Sequence, residues 1–284
     1  MVYHYTTIET FEKIVMNKTI RLNRLDFVDD KTEAEAFKGI KFAKYIFVSS
    51  WTKKKEEDLY QWKEYGNNFQ GVRIGLPEHM FKLKHVSPAM YKDGKYNGIK
   101  LSGEGNLILL PEEVFTNTYE VLPMFPNWNS FRLEVTYVDD VFAIKNEMEK
   151  IIKNKKAMQI ILENNWLQKA AGIKNRIWSQ QEEIRFVLFI FPSLPKPSNG
   201  YDNPFFNSEN IKYKTNCILA GVPPSINYID LSLDVKLLNN IDITVGANCS
   251  KIDREGLIKI ASDYCKNALI KDSTLKGQIR PRNT

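Results

Sequence analysis

The sequence is poor in the residues that carry the commonest metal and redox chemistries. Among 284 residues there are three cysteines, Cys217, Cys249 and Cys265, and three histidines, His4, His79 and His85. The cysteines are odd in number, widely spaced and confined to the last third of the chain, a pattern that fits neither a zinc site nor a disulfide framework. They read as small buried hydrophobes in a reducing compartment. No run of about 18 apolar residues occurs, so no membrane partner is expected. Met1 to Thr10 lacks the apolar core of a signal peptide, which makes the cytoplasm the expected location. A glycine-rich phosphate loop is also missing: Gly103-Glu104-Gly105 has no third glycine and no following helix, which excludes the dinucleotide-binding fingerprint and the P-loop. No Gly-x-Ser-x-Gly elbow occurs.

What is present is an ordinary globular composition, 43% apolar and 26% charged, with aromatics at 12% that mix with charges as well as filling apolar runs. That mixture suggests a lined cleft beside a core. The net charge of +6, from 40 basic and 34 acidic residues, favours phosphate-bearing partners without reaching the level of a basic tail. A chain of this length can bury roughly 70–75% of its unfolded surface in one domain, and needs no metal or disulfide for stability.

Residues Val2–Thr6 alternate as a strand and run into a helix whose start reads as a capping box of Thr6 with Glu9. Strands are expected at 19–22, 44–50, 71–76, 131–138, 217–222, 228–231 and 241–246, and the strongest at 177–191, whose end, Phe186 to Phe191, belongs in mid-sheet. Helices are expected around Leu59, Trp62 and Tyr65, from about Phe142 to Ala171, and at 253–268. Residues 77–130, with five prolines and four glycines, read as a loop-rich insertion in a single domain spanning 1–284, and the tail from Lys271 reads as basic and frayed. The fold class is α+β with a mixed, mainly antiparallel sheet and flanking helices.

Three polar stretches beside strands stand out: Tyr3-His4-Tyr5-Thr6, Ser49-Ser50-Trp51-Thr52 and Trp178-Ser179-Gln180-Gln181-Glu182-Glu183-Ile184-Arg185. Strand alternation places Gln181, Glu183 and Arg185 on one face, so Glu183 is flanked by an amide and a guanidinium that can hold it ionised and oriented. A solvated strand-edge pair is the plainer reading of Glu183 and Arg185. His4 can donate to a ribose hydroxyl or be an ordinary strand histidine. Tyr3, Tyr5, Trp51, Trp62 and Tyr65 can stack on a flat ring or fill the core. Arg21 and Arg24 are candidates for a pyrophosphate clamp. The acidic Asp26, Asp29, Asp30 and Glu33 lack the spacing of a calcium loop, and a helix cap at Asp29 or Asp30 explains them more simply; no metal site is assigned.

The order of Tyr3-His4-Tyr5-Thr6, Phe27-Val28-Asp29-Asp30-Lys31-Thr32-Glu33, Ser50-Trp51-Thr52, Trp62-x-x-Tyr65-Gly66, Gly71-Val72-Arg73-Ile74 and Trp178-x-x-Gln181-x-Glu183-x-Arg185 resembles a bacterial family of unknown function, number 2971 in the uncharacterised-domain series, over most of the chain. Members often carry Asn-Asp-Pro in place of Asp29-Asp30-Lys31 and Glu in place of Gln181. More distantly, the layout is similar to ADP-ribosyltransferases, including the DNA-modifying DarT toxins, and this resemblance implies an ADP-ribosyltransferase-like fold with NAD as substrate. It implies catalytic roles for Glu183, Gln181 and His4, with NAD held by His4, Tyr5, Thr6, Arg21, Arg24, Ser49, Ser50, Trp51, Tyr65 and Arg185. The acceptor would be a nucleic acid or a protein, and the setting a bacterial toxin or phage-defence effector. The competing expectation is a nucleic-acid-binding module or metal-dependent nuclease, since Ala143–Arg176 carries eight Lys or Arg against three Glu and the tail is basic.

Overall fold

The computed structural model describes residues 1–28, 33, 41–91, 103–122, 131–143, 146, 166–196 and 204–280. The strands in chain order are β1 (Val2–Thr6), β2 (Thr19–Arg24), β3 (Ile46–Thr52), β4 (Val72–Leu76), β5 (Lys84–Val86), β6 (Gly105–Leu107), β7 (Tyr119–Leu122), β8 (Arg132–Glu134), β9 (Thr136–Val138), β10 (Ile173–Asn175), β11 (Glu183–Pro192), β12 (Tyr228–Ser232), β13 (Asp242–Val245) and β14 (Leu269–Asp272). Ten of them form one sheet in the order β12-β2-β3-β1-β4-β13-β14, with β11 on the other edge of β3 and β7 and β8 beyond β11. Its pairings are antiparallel except β13 with β14, so the sheet is mixed and the protein is α+β.

β11 is buried along its whole length. Its alternation feeds two cores: Ile184, Phe186, Leu188 and Ile190 join one cluster with the helix Ile8–Asn17 and β4, while Val187, Phe189 and Phe191 join a second with Phe42, Tyr45 and Ala171. At roughly 1.5–3 kcal/mol for each large side chain withdrawn from water, this strand is a main anchor of both layers. Glu183 and Arg185 share the odd-numbered face with Val187. The first helix is capped by Thr7, whose hydroxyl accepts from the Thr10 amide at 3.2 Å, one residue later than the expected Thr6 cap. Thr6 instead ends β1, paired with Val72.

Several boundaries differ from expectation. Residues 176–181 are a 3-10 turn and the strand begins at Glu183; among the described residues the polar Trp-Ser-Gln-Gln run has no strand partner. Residues 217–220 close the helix Pro204–Ala220 rather than forming a strand. The stretch 131–138 breaks at Val135, whose amide bonds to the Glu183 carbonyl, so β8 stays with β11 while β9 turns away to pair with β10. In the loop-rich region β5 and β6 pair with each other, but β7 joins the main sheet against Phe189–Pro192. The tail contains β14, parallel to β13. Most of the basic helix expected from Phe142 lies outside the described residues, and its last turns, Trp166–Gly172, are helical. Among the described residues no helix is long and apolar enough to cross a membrane.

Candidate active site

β3 is the strand at which the sheet forks. One edge pairs with β11 from Glu183↔Thr52 to Phe189↔Ile46. The opposite edge is divided, β2 taking Phe47 and Val48 and β1 taking Thr52. Between them the Ser50 carbonyl accepts from the His4 Nδ1 at 2.9 Å, a side chain standing where a strand amide would otherwise be. A carbonyl only accepts, so Nδ1 carries the proton and Nε2 keeps a lone pair. Burial lowers the His4 pKa, the Ser50 bond opposing it in part, so the ring is neutral near pH 7. Its face tilts over Trp51 at 5.1 Å between centroids.

The start of β11 supplies the charge. Glu182 sits in the left-handed region at φ 42°, which costs an L residue about 1–2 kcal/mol and redirects the chain from the 3-10 turn into the strand. Glu183 then accepts from Arg185 Nε at 2.6 Å and from Lys174 Nζ at 3.0 Å. Lys174 also donates to Gln181 Oε1 at 2.9 Å and lies 3.3 Å from Glu33, and Arg185 meets both Glu33 oxygens at 2.9 and 2.6 Å. Two carboxylates and two cations thus balance, and all four side chains are at most 7% exposed. Burial pushes the Glu183 carboxyl up, but the charges of Arg185 and Lys174 outweigh it and hold the group at about 2. The Glu183 amide donates to the Tyr137 hydroxyl at 2.9 Å, and burial pushes that phenol up to about 12.

Glu33, Lys174, Gln181, Glu183 and Arg185 face a cavity of about 460 Å³. Of the residues singled out in the sequence, it brings together His4, Tyr5, Ser50, Trp51, Tyr65, Gln181, Glu183 and Arg185. Tyr5 accepts from the Asp58 amide through its hydroxyl at 3.0 Å, and Gln181 Nε2 reaches the Tyr65 hydroxyl at 3.5 Å. Trp178 forms another wall, with the Lys174 ammonium 5.0 Å from its ring centre. The solvated-pair reading of Glu183 and Arg185 is overturned by their burial.

Four expected residues do not line this cavity. Thr6 lies at the end of β1. Ser49 is turned to accept from the Trp51 indole at 3.0 Å. Arg21 is held by both oxygens of Asp230 at 2.8 and 2.9 Å and lies 3.6 Å from the Tyr228 ring centre. Arg24 is held by Asp26 at 2.6 and 3.1 Å and by Asn227 at 3.0 Å, and covers Phe27. Neither guanidinium is an open phosphate clamp. Tyr3 and Trp62 are core residues, Trp62 edge-on to Tyr5. In the acidic stretch Asp26 and Glu33 both meet cations, while Asp29 and Asp30 lie outside the described residues. Among the described residues no three His, Cys, Asp or Glu groups are placed to hold a metal ion. Sequence reasoning missed Lys174 and Gln61 and gave Glu33 the wrong neighbours.

No curated protein and no solved structure matches the chain. One family model does, over less of the chain than the residue blocks led us to expect: it covers the wall that carries Gln61, Tyr65, Lys174, Gln181, Glu183 and Arg185, and stops short of His4 and Ser50. The family that residues 61–186 match is described as Protein of unknown function (DUF2971).

Proposed function

We propose that this protein is an NAD-dependent ADP-ribosyltransferase whose charge-stabilising group is Glu183. The observation that carries the reading is a carboxylate both buried and ionised, fixed by Arg185 and Lys174, facing an aromatic-walled cleft beside a neutral histidine. Cleaving the bond between ribose C1′ and the nicotinamide nitrogen sends the bonding pair to the ring, which leaves neutral, and leaves an oxocarbenium-like centre on the sugar. A fixed carboxylate is worth most when that charge exists, in the transition state. Trp51, Tyr65 and Trp178 provide flat faces for the nicotinamide. The free lone pair of His4 Nε2 accepts from a ribose hydroxyl. Arg21 and Arg24 are held by their own acids, and Lys174 is spent on Gln181, Glu183 and Glu33, so its part is to fix the carboxylate and not to meet the diphosphate. An acceptor hydroxyl or amine of a nucleic acid or protein then bonds to C1′ and gives up its proton. Such an activity suits a bacterial toxin or phage-defence effector.

The test is nicotinamide release from NAD together with thermal unfolding with and without the dinucleotide. Saturation at 100 times Kd stabilises a fold by about 2.7 kcal/mol. Glu183→Gln keeps the shape and removes the charge, and we expect turnover to fall by about 10²–10³-fold. Turnover equal to wild type would sink the assignment. The metal-nuclease alternative is disfavoured by the charge pairing: a divalent ion at Glu183 and Glu33 would have to displace both Lys174 and Arg185.

A further inference from the structure

The cleft continues past the bond between His4 and Ser50. A second cavity of about 480 Å³ lies between the helix Ile8–Asn17, β2 and β3, and shares His4, Asn23, Val28 and Ser50 with the first. Its walls include the aliphatic side chains of Ile14, Ile20, Val28 and Val48, the surface that the faces of a flat ring require. Its polar lining combines the hydroxyl residues Thr10, Thr19, Ser49 and Ser50 with amides and charged groups. Asn17 and Asn23 line it, and neither side chain makes a hydrogen bond among the described residues, so two amides, each offering donor and acceptor, are open to a ligand. Lys13 stands one helical turn before Asn17 on the same face, and acts on Glu9 through space without forming a salt bridge among the described residues. The acid in the lining, Asp230, is already neutralised by Arg21.

Aliphatic faces, unused amides and one unpaired ammonium are the complement of a nucleobase carrying a phosphate, because amides match the donor and acceptor edges of bases and a lysine meets phosphate as a point charge. We propose that this second cavity binds a nucleotide unit. The inference stands on the cavity's own residues and does not require the NAD chemistry at Glu183. The same unit has two possible sources, the adenylate half of a dinucleotide that reaches past Ser50, or a nucleotide of an acceptor strand.

The test is calorimetric titration of the full chain with AMP, GMP, CMP and UMP, and with ribose 5-phosphate as a ligand lacking the base. We expect at least one mononucleotide to bind and ribose 5-phosphate to bind about tenfold or more weakly. The double substitution Lys13→Ala with Asn17→Ala falls on exposed helix positions, where alanine is the best helix former, so folding is preserved. It should weaken the mononucleotide by about 10–100-fold, the scale of losing a charge-assisted and a neutral hydrogen bond. Displacement of the mononucleotide by NAD assigns the cavity to the donor. Displacement by a single-stranded oligonucleotide while NAD still binds assigns it to the acceptor. Absence of any mononucleotide binding, binding untouched by the double substitution, or equal binding of ribose 5-phosphate would each overturn the proposal.

Discussion

His4 serves the fold and the cleft with one imidazole. Its Nδ1 proton closes the gap that the fork leaves at Ser50, and its Nε2 lone pair remains only while the ring is neutral. Because burial holds its folded pKa below the ordinary 6.5, the unfolded chain takes up the proton first as pH falls. The stability His4 contributes is therefore present above pH 6.5 and lost below it. Melting curves of wild type and His4→Gln between pH 7.5 and 5 should converge as pH drops, and curves that stay parallel would show that His4 is not the titrating group. The same scale shows what a sequence hides. Glu183 and Arg185 were legible because strand alternation is local. Arg21 was misread because its partner, Asp230, lies 209 residues away, whereas Arg24 is held mainly by Asp26, two residues on, a local pairing that was passed over. Lys174 had no local signal: Glu183 follows it only after the 3-10 turn, and Glu33 comes from far earlier in the chain.

Between the helix Leu59–Glu64 and β4 the chain makes a turn in which Asn67, Asn68 and Phe69 all have positive φ, 49°, 50° and 67°. Three successive left-handed residues are costly unless the surroundings fix them. Here the Asn248 amide donates to the Phe69 carbonyl and the Gly246 amide to the Gly71 carbonyl, so the end of β13 clamps the turn that follows Tyr65. A Cβ on Gly246 would stand 2.2 Å from the Phe69 carbonyl oxygen, whereas one on Gly256, in the helix Lys251–Tyr264, would meet nothing within 4 Å. Gly246→Ala should cost about 1–3 kcal/mol or more in denaturant unfolding, and Gly256→Ala should gain roughly 0.5–1 kcal/mol. Equal effects of the two would show that the clamp is not rigid. The elements that the sequence made plain, β1, β4, β12 and β13, are those with short apolar alternation between polar corners. Those it obscured depend on partners: among the described residues 177–181 have no strand to pair with, and β14 is a strand because β13 offers it an edge.

Across the whole molecule, the α+β class followed from composition and pattern, but the fork in β3 did not, since nothing in Ile46–Thr52 marks where one neighbour gives way to another. A second long-range device lies behind the cleft. Glu57 accepts from the Trp62 indole at 2.8 Å, the Ser273 hydroxyl at 2.5 Å and the Thr274 amide and hydroxyl at 2.8 and 2.9 Å. Burial pushes its pKa up, but the bonds from Ser273 and Thr274 prevail and leave it lowered. The segment after β14 thereby secures the helix that carries Gln61 to the site. Glu57→Ala should lower stability by about 2–4 kcal/mol, from several hydrogen bonds to one charge acting non-additively, with the denaturant midpoint falling and the slope unchanged. An unaltered midpoint would mean that the segment holds without it.

The shared strand β3 also has a history in each molecule as it is made. Thr52 and Glu182, just before β11, are 130 residues apart, so the edge that β11 will cover stays open while at least that much chain is added. At ribosomal rates of about 5–20 residues per second this lasts roughly 7–26 s. During that interval Ile46-Phe47-Val48 is an apolar strand with unsatisfied amides, the kind of edge that recruits other chains. The nascent protein is therefore most exposed to aggregation, and most dependent on chaperones, before the strand bearing its central carboxylate has emerged.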